Sequence, residues 1–465
     1  MKISLKQKIV SSLLAISLAV SLAPLGQAKA DSPSETITAP SIAKQLDANR
    51  AIEHVRFLSE TIGPRPSGTP KEQAASRYIG MRLQSMGYEV EYQPFSVPDQ
   101  YIGFIDFPLS REKNWQAGAA PNSLISAEPV TAPIIFVPNG TKPEEVPNNV
   151  KDKIVLFERG TTVADYNKQV ENAVAKGAKG VLLYSLIGGR GNYGQTFNPR
   201  LTKKQPIPVF GLAYAQGNGL KEKVQKGNTI LSLKARHDAN LQSLNVIAKK
   251  KPKNSTGNEK AVIVSSHYDS VVGAPGANDN ASGTGLVLEL AQAFKNVESD
   301  KEIRFIAFGS EEVGLIGSDH YVENLSQAEK DRILGVFNAD MVATNYDKAK
   351  NLYAMTPDGS TNLVTDAALN ASKQLNNPLV LQGKFGSSDH VPFYDAGIPA
   401  ALFIWMGVDS WYPLIYHIEK VYHTPQDNIL ENISPERMKM ALEVIGTGVY
   451  DILQKPAVQT GQKAA

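Results

Sequence analysis

From Asn245 onward, short apolar runs alternate with amphipathic segments, and this rhythm constrains the fold more than any other feature of the chain. Residues 261–264, 303–308, 335–338 and 400–404 read as strands, and 281–297, 361–373 and 435–453 as helices. Strands that alternate with helices of this length pair in parallel, and the helices then cover both faces of the sheet. Leu286, Leu290, Phe294 and Val297 recur on one side of their helix, as a layer helix requires.

The N-terminal part begins the same way. Thr69-Pro70-Lys71-Glu72 reads as a capping box with proline at the first helical position, and Gly87 supplies the stop. Ala75, Ile79, Leu83 and Met86 share one helical face, and Tyr88, Val90 and Tyr92 then alternate with glutamates as a half-buried strand. Between about 109 and 235 the texture changes. Strand-like runs at 132–137, 153–157, 180–184 and 206–211 are broken by Pro-, Gly- and Asn-rich turns, with one helix at about 163–176. The expectation is an α/β protein, a three-layer αβα domain with a mainly parallel (mixed) central sheet built from 45–108 and 240–455. A β-rich domain at 109–239 interrupts it. The 465 residues suffice for two or three domains.

The ends read differently. Lys2, Lys6 and Lys8 precede an apolar stretch from Ile9 to Leu22, and Ala28-Lys29-Ala30 is a small-x-small cleavage site. Residues 1–30 are therefore expected to be a signal peptide and the protein to be secreted, without a stable membrane anchor after cleavage. A retained N-terminal anchor would use the same features. Residues 31–44 and 456–465 are polar and read as flexible tails.

The chain has 48 basic and 46 acidic residues, so no net charge points to a nucleic-acid partner. Cysteine is absent, which excludes thiol nucleophiles, disulfides and thiolate metal sites; any metal must be held by His, Asp and Glu.

Acidic residues and histidines collect just past the strand ends. His267-Tyr268-Asp269 follows one strand, and in extended chain the first and third side chains point the same way. Asp269 can then take the second N–H of His267, as in a carboxylate–histidine–metal arrangement. Asp279 lies in a turn before a helix, Glu311-Glu312 follow the strand at 303–308, and Asp340 follows that at 335–338. His423 stands in Tyr422-His423-Thr424-Pro425. Carboxyl ends of strands in an open α/β sheet are where ligand sites form. Singly, each residue also reads as a turn, a cap or a solvated charge. Jointly, five oxygen and nitrogen donors suit a pair of divalent ions such as zinc, bridged by one carboxylate. No H-E-x-x-H or G-x-S-x-G occurs, and the adjacent Ser388-Asp389-His390 cannot adopt triad geometry.

In order and flanking strands this set, with Ser388-Asp389-His390-Val391-Pro392-Phe393, resembles the co-catalytic dizinc aminopeptidase family, of the aminopeptidase Y and secreted bacterial leucyl aminopeptidase type. KDKIVLFERG and ENAVAKGAKGVLLY resemble the protease-associated domain that many members carry as an insertion. The resemblance implies two Zn2+ ions per chain, with Asp279 bridging, His267 and Asp340 on one ion, and Glu312 and His423 on the other. It implies that the ions acidify a shared water and clamp the scissile carbonyl. Glu311 would be the general base, Tyr422 a donor to the oxyanion, and Asp269 the partner of His267. The substrate would be a peptide with a free N-terminus, its α-amine held by Glu311 and Asp340. Phe385, Trp405, Trp411 and Tyr412 are candidate walls for the first side chain.

A dizinc carboxypeptidase or dipeptidase is the alternative. It would need arginines for the C-terminal carboxylate, and between Phe305 and His423 the only one is Arg332. A non-catalytic binding relative would have lost ligands, and none is missing. A monomer is expected, and the preferred N-terminal residue is left open.

Overall fold

The computed structural model describes residues 39–110, 114–187, 194–227, 229–411 and 414–455. The expected signal peptide and the C-terminal tail lie outside them. After the helix Pro70–Ser85 the chain forms strand β1 (Glu89–Val97) and then leaves the sheet. Seven strands follow: Gln100–Asp106, Trp115–Ala119, Val130–Val137, Ile154–Glu158, Gly180–Tyr184, Val209–Leu212 and Ile230–Asp238 (β2 to β8). It returns through Leu241–Lys250 (β9), Ala261–His267 (β10), Glu302–Phe308 (β11), Ile333–Ala339 (β12), Asn351–Thr356 (β13), Val380–Lys384 (β14), Ala400–Trp411 (β15) and Leu414–His417 (β16).

The central sheet is mixed, in the order β1-β9-β11-β10-β12-β15-β13-β14, with β16 hooked onto β15. Its middle is parallel: β10 pairs with β11 and β12, and β12 with β15. Side chains alternate across these strands. Ile263, Ile306, Phe308 and Val336 meet Tyr321 and Phe393 from the helices Ile316–Glu323 and His390–Asp395. The opposite face is covered by Pro70–Ser85, Gly283–Phe294, Leu363–Gln374 and Pro435–Gln454, with Ala48–Arg56 packed on Gly283–Phe294. The three-layer αβα expectation describes this domain.

β2 to β8 close into a barrel, in the order β2-β3-β7-β6-β5-β4-β8. Ile105, Leu156, Leu182 and Phe210 fill its inside. Alternate residues Val155, Phe157, Val181 and Leu183 pack outward against Val170 and Ala173 of the helix Val163–Ala175. A second helix, Tyr214–Lys226, was not visible in the sequence, because its polar and glycine-containing run lacks a clear apolar face.

The barrel occupies a hairpin turn. Val97 at the end of β1 pairs with Leu241 at the start of β9, and Gln100 pairs with Asp238 in β2 and β8. Only two short connections therefore join the domains. The barrel begins at Gln100, so the boundary expected at 109 falls after its first strand. Local pattern gives no strand signal at 100–106, and its partner β8 is far away in sequence.

The expectation of a flexible segment at 31–44 fails for its last part. Ala39–Ala43 is helical, with Ile42 and Ala43 buried. This short helix packs against Pro435–Gln454, and Leu46 just beyond it sits where any Cβ on Gly446 would fall. Burial of one such side chain is worth roughly 1.5–3 kcal/mol, enough to hold a turn that would not persist alone. None of the described helices is long and apolar enough to cross a membrane.

Candidate metal centre

The parallel strands β10, β11 and β12 end on the same edge of the sheet and deliver His267, the Glu311-Glu312 turn and Asp340 to one place. Asp279 enters from the turn ahead of the helix Gly283–Phe294, and His423 from the loop after β16. Ser310, Met341 and His423 have φ of 61°, 57° and 55°. A non-glycine residue in the left-handed region is costly and persists only where its surroundings over-determine it. All three are at or beside an expected site residue.

The donors converge without pairing. His267 Nε2 lies 3.4 Å from Asp279 Oδ1 and 3.5 Å from Asp340 Oδ1. His423 Nε2 lies 3.0 Å from Asp279 Oδ2 and 2.9 Å from Glu312 Oε2. Yet Glu312 Oε1, Asp340 Oδ1 and His423 Nε2 are buried with no hydrogen-bond partner, as is His267 Nδ1 on the Asp269 side of its ring. Buried polar atoms are almost always satisfied, so a cluster of orphans aimed at common points marks a place for a cation. His267 with Glu311 and Asp340, and His267 with Asp279 and Glu312, each offer one donor atom within 4.8 Å of the others. The imidazole and carboxylate donors fit zinc.

The charges agree. Burial, then the neighbouring carboxylates Glu312 and Asp340, drive the Glu311 carboxyl well above its ordinary range. Burial and Asp279 push Glu312 up to about 7. At Asp279 burial opposes ionisation, but His267 and His423 on either side overcome it and hold the group below the usual range. Burial opposes protonation of the imidazoles, yet the surrounding carboxylates raise both well above the ordinary value. Such crowding of like charge is relieved by a bound cation.

Supporting contacts orient the donors. Ser388 Oγ donates to Asp340 Oδ2 at 2.7 Å and is itself held by Asn338, which leaves Oδ1 free to bind. Asp269 lies 3.4 Å from His267 Nδ1, but its hydrogen bonds come from the peptide nitrogens of Glu311 and Glu312, at 3.0 and 3.2 Å. The expected role of Asp269 is thus shared: it faces the histidine and fixes the turn of the two glutamates. Beneath that turn the buried Glu72 accepts from Gly68 N, Ser243 Oγ and Ser310 Oγ and so braces the site; the expected capping box is only half made, because Thr69 Oγ1 caps Glu72 N but Thr69 N donates to the Pro66 carbonyl. Asp427, which sequence reasoning missed, accepts from the backbone of Asn278 and Asp279. Its place four residues after His423, beyond a proline, was the available signal.

A cleft of about 740 Å³ opens over these groups. Glu311, Glu312, Asp279, Asp340, Tyr422 and His423 lie on one side, and Phe385, Met341, Ile404, Tyr416 and Ile418 form an apolar wall. Phe385 is part of the cleft lining. Trp405 is not: it is buried, donates to the Arg437 carbonyl at 3.4 Å and is stacked under the Arg437 guanidinium. Successive residues of a strand face opposite sides, so Ile404 takes the cleft and Trp405 the core. The side chain of Trp411, and Tyr412 altogether, lie outside the described residues. The barrel also reaches the site, with Thr196 N–H donating to the His423 carbonyl at 3.4 Å.

Residues 245–448 match the model of peptidase family M28, and residues 126–220 match that of the PA domain. The chain is 38% identical over 439 residues to aminopeptidase YwaD of Bacillus subtilis, covering 91% of this chain and 90% of that protein. Among solved structures, it is similar to BSAP, a zinc aminopeptidase from Bacillus subtilis, with 37% identity and a TM-score of 0.63 over 88% of this chain and 96% of that one. An aminopeptidase from Aneurinibacillus sp. strain AM-1 aligns with 34% identity and a TM-score of 0.56, over 89% and 96% of the two chains.

Proposed function

The chain belongs to peptidase family M28, and from that premise we propose that it is a dizinc aminopeptidase, exported from the cell, that releases N-terminal residues from peptides. The observation that carries this reading is the convergence of His267, Asp279, Glu312, Asp340 and His423 from five separate segments, with unsatisfied buried atoms on four of them. His267 and Asp340 would hold one ion, Glu312 and His423 the other, with Asp279 between the two pairs as their shared ligand. Zinc supplies Lewis acidity toward the scissile carbonyl and the attacking water.

The chain's own groups do the rest. The Glu311 carboxylate takes the proton of the attacking water and returns it to the leaving amine. Glu311 and Asp340 hold the substrate's α-ammonium, which makes a free N-terminus a requirement. Tyr422 donates its phenolic O–H to the oxygen as the carbonyl becomes tetrahedral. The first side chain packs against Phe385 and the apolar wall beside it. The cleft lining includes Lys384 and, among the described residues, no arginine, which gives no support to a carboxypeptidase pocket. Export rests on the N-terminal segment described above.

Kinetics on a panel of aminoacyl anilides, free and N-acetylated, test the reading. Hydrolysis of the free forms alone is expected; equal rates on the acetylated forms would refute an aminopeptidase.

A further inference from the structure

Asp427 is fully buried, lies in no part of the proposed chemistry, and receives only neutral N–H donors. Its Oδ1 accepts from Asn278 N at 2.8 Å and from Asn432 Nδ2 at 2.7 Å, and its Oδ2 from Asp279 N at 2.9 Å. Its own carbonyl accepts from Ala277 N at 3.1 Å. One residue thus grips three successive peptide nitrogens of the turn that carries Asp279, from 148 residues away. It belongs to the segment that carries His423. Hydrogen bonds from Thr424 N to Val421 O and from Asp427 N to Thr424 O, both 3.1 Å, fold 421–427 into consecutive turns. His423, at φ 55°, is therefore tied through a stiff segment to Asp279, the donor it must meet.

We infer that Asp427 is a positioning residue of the metal centre: it clamps the loop bearing His423 onto the turn bearing Asp279 and so sets the spacing of these two donors. The inference rests on the dizinc reading above. A carboxylate is required because three donors converge and none accepts. An amide offers one acceptor and one donor, so an asparagine that keeps Asn278 and Asn432 would turn its NH2 toward the Asp279 N–H. Partners behind metal ligands typically govern affinity by 10–100-fold.

The test is zinc affinity of the mature full-length chain, measured by competition with a chromogenic chelator, for wild type, Asp427→Asn and Asn432→Ala. Asp427→Asn is expected to weaken at least one zinc by tenfold or more, with hydrolysis recovering at saturating zinc. Asn432→Ala, which only loosens the carboxylate, should weaken it severalfold, and it decides the matter if Asp427→Asn does not fold. Affinities within twofold of wild type in the folded variants, with lower stability alone, would overturn the inference and leave Asp427 a structural residue. A wild-type chain that takes up no zinc would overturn the metalloenzyme reading first.

Discussion

His423 Nε2 and Asp279 Oδ2 lie 3.0 Å apart, yet the nitrogen makes no hydrogen bond. Atoms so close that do not bond to each other are arranged around a third party, and metal removal is the direct check. Dialysis against a strong chelator is expected to abolish hydrolysis, and zinc to restore it. The metal-free protein should also unfold at lower temperature, since a ligand bound only to the native state stabilises it by mass action. Full activity in protein shown by elemental analysis to hold no metal would refute the site.

The two adjacent glutamates should separate in function. Asp269 holds both peptide nitrogens, so the side chains diverge from a fixed turn. Glu311→Gln is expected to keep both metals and lower turnover by roughly 10²–10⁴-fold, the usual worth of a positioned acid–base group. Glu312→Gln should lose zinc as well as rate, with partial recovery at high zinc. Metal content and single-turnover rates on both variants decide; the opposite pattern would swap the roles.

Excision of the barrel should leave the chemistry measurable. Val97 and Leu241 are register partners, so a short turn can join them and restore a simple hairpin. What is lost at the site is the Thr196 contact to the His423 carbonyl. One hydrogen bond of about 1 kcal/mol predicts a loss of about five- to tenfold on small anilides, with a changed preference among longer peptides. A folded, zinc-loaded variant inert on the smallest substrates would show that the barrel helps build the centre.

Stability should fall in mild acid through His54. Its Nδ1 lies 2.6 Å from the Tyr78 hydroxyl, and burial, aided by Arg82, lowers its pKa to about 4. The unfolded chain titrates near ~6.5. A histidine with a depressed folded pKa adds no penalty above the unfolded value and costs stability as pH falls from there toward 4. At pH 5 the cost is about 2 kcal/mol. His54→Gln keeps a polar group for Tyr78 and cannot titrate. Urea unfolding of both proteins at pH 8 and pH 5, with chelator present, should show the difference moving toward the variant by that amount. A difference independent of pH would contradict the assignment.

The order of strands and helices after Asn245, and the acids and histidines that follow the strand ends, were legible because both follow from local periodicity. A strand's direction carries its last residue to a known edge of the sheet, so strand order alone brings His267, Glu311, Glu312 and Asp340 to one edge. Other features depend on which distant segment arrives next to which. Ile404 and Trp405 are adjacent and both apolar, and only the packing of Pro435–Gln454 against one face of the sheet decided that the tryptophan is core and the isoleucine cleft. Gln100–Asp106 is not marked as a strand by local pattern, and its pairing with β8 determined that it closes the barrel. Ala39–Ala43 is too short to be helical alone, and its packing against Pro435–Gln454 holds it. Asp427 looks like an ordinary loop acid until the turn of Asp279 folds against it. Periodicity is a property of neighbours along the chain, whereas facing, closure and clamping are free energies of contact between residues far apart in it, and those exist only once the tertiary structure has formed.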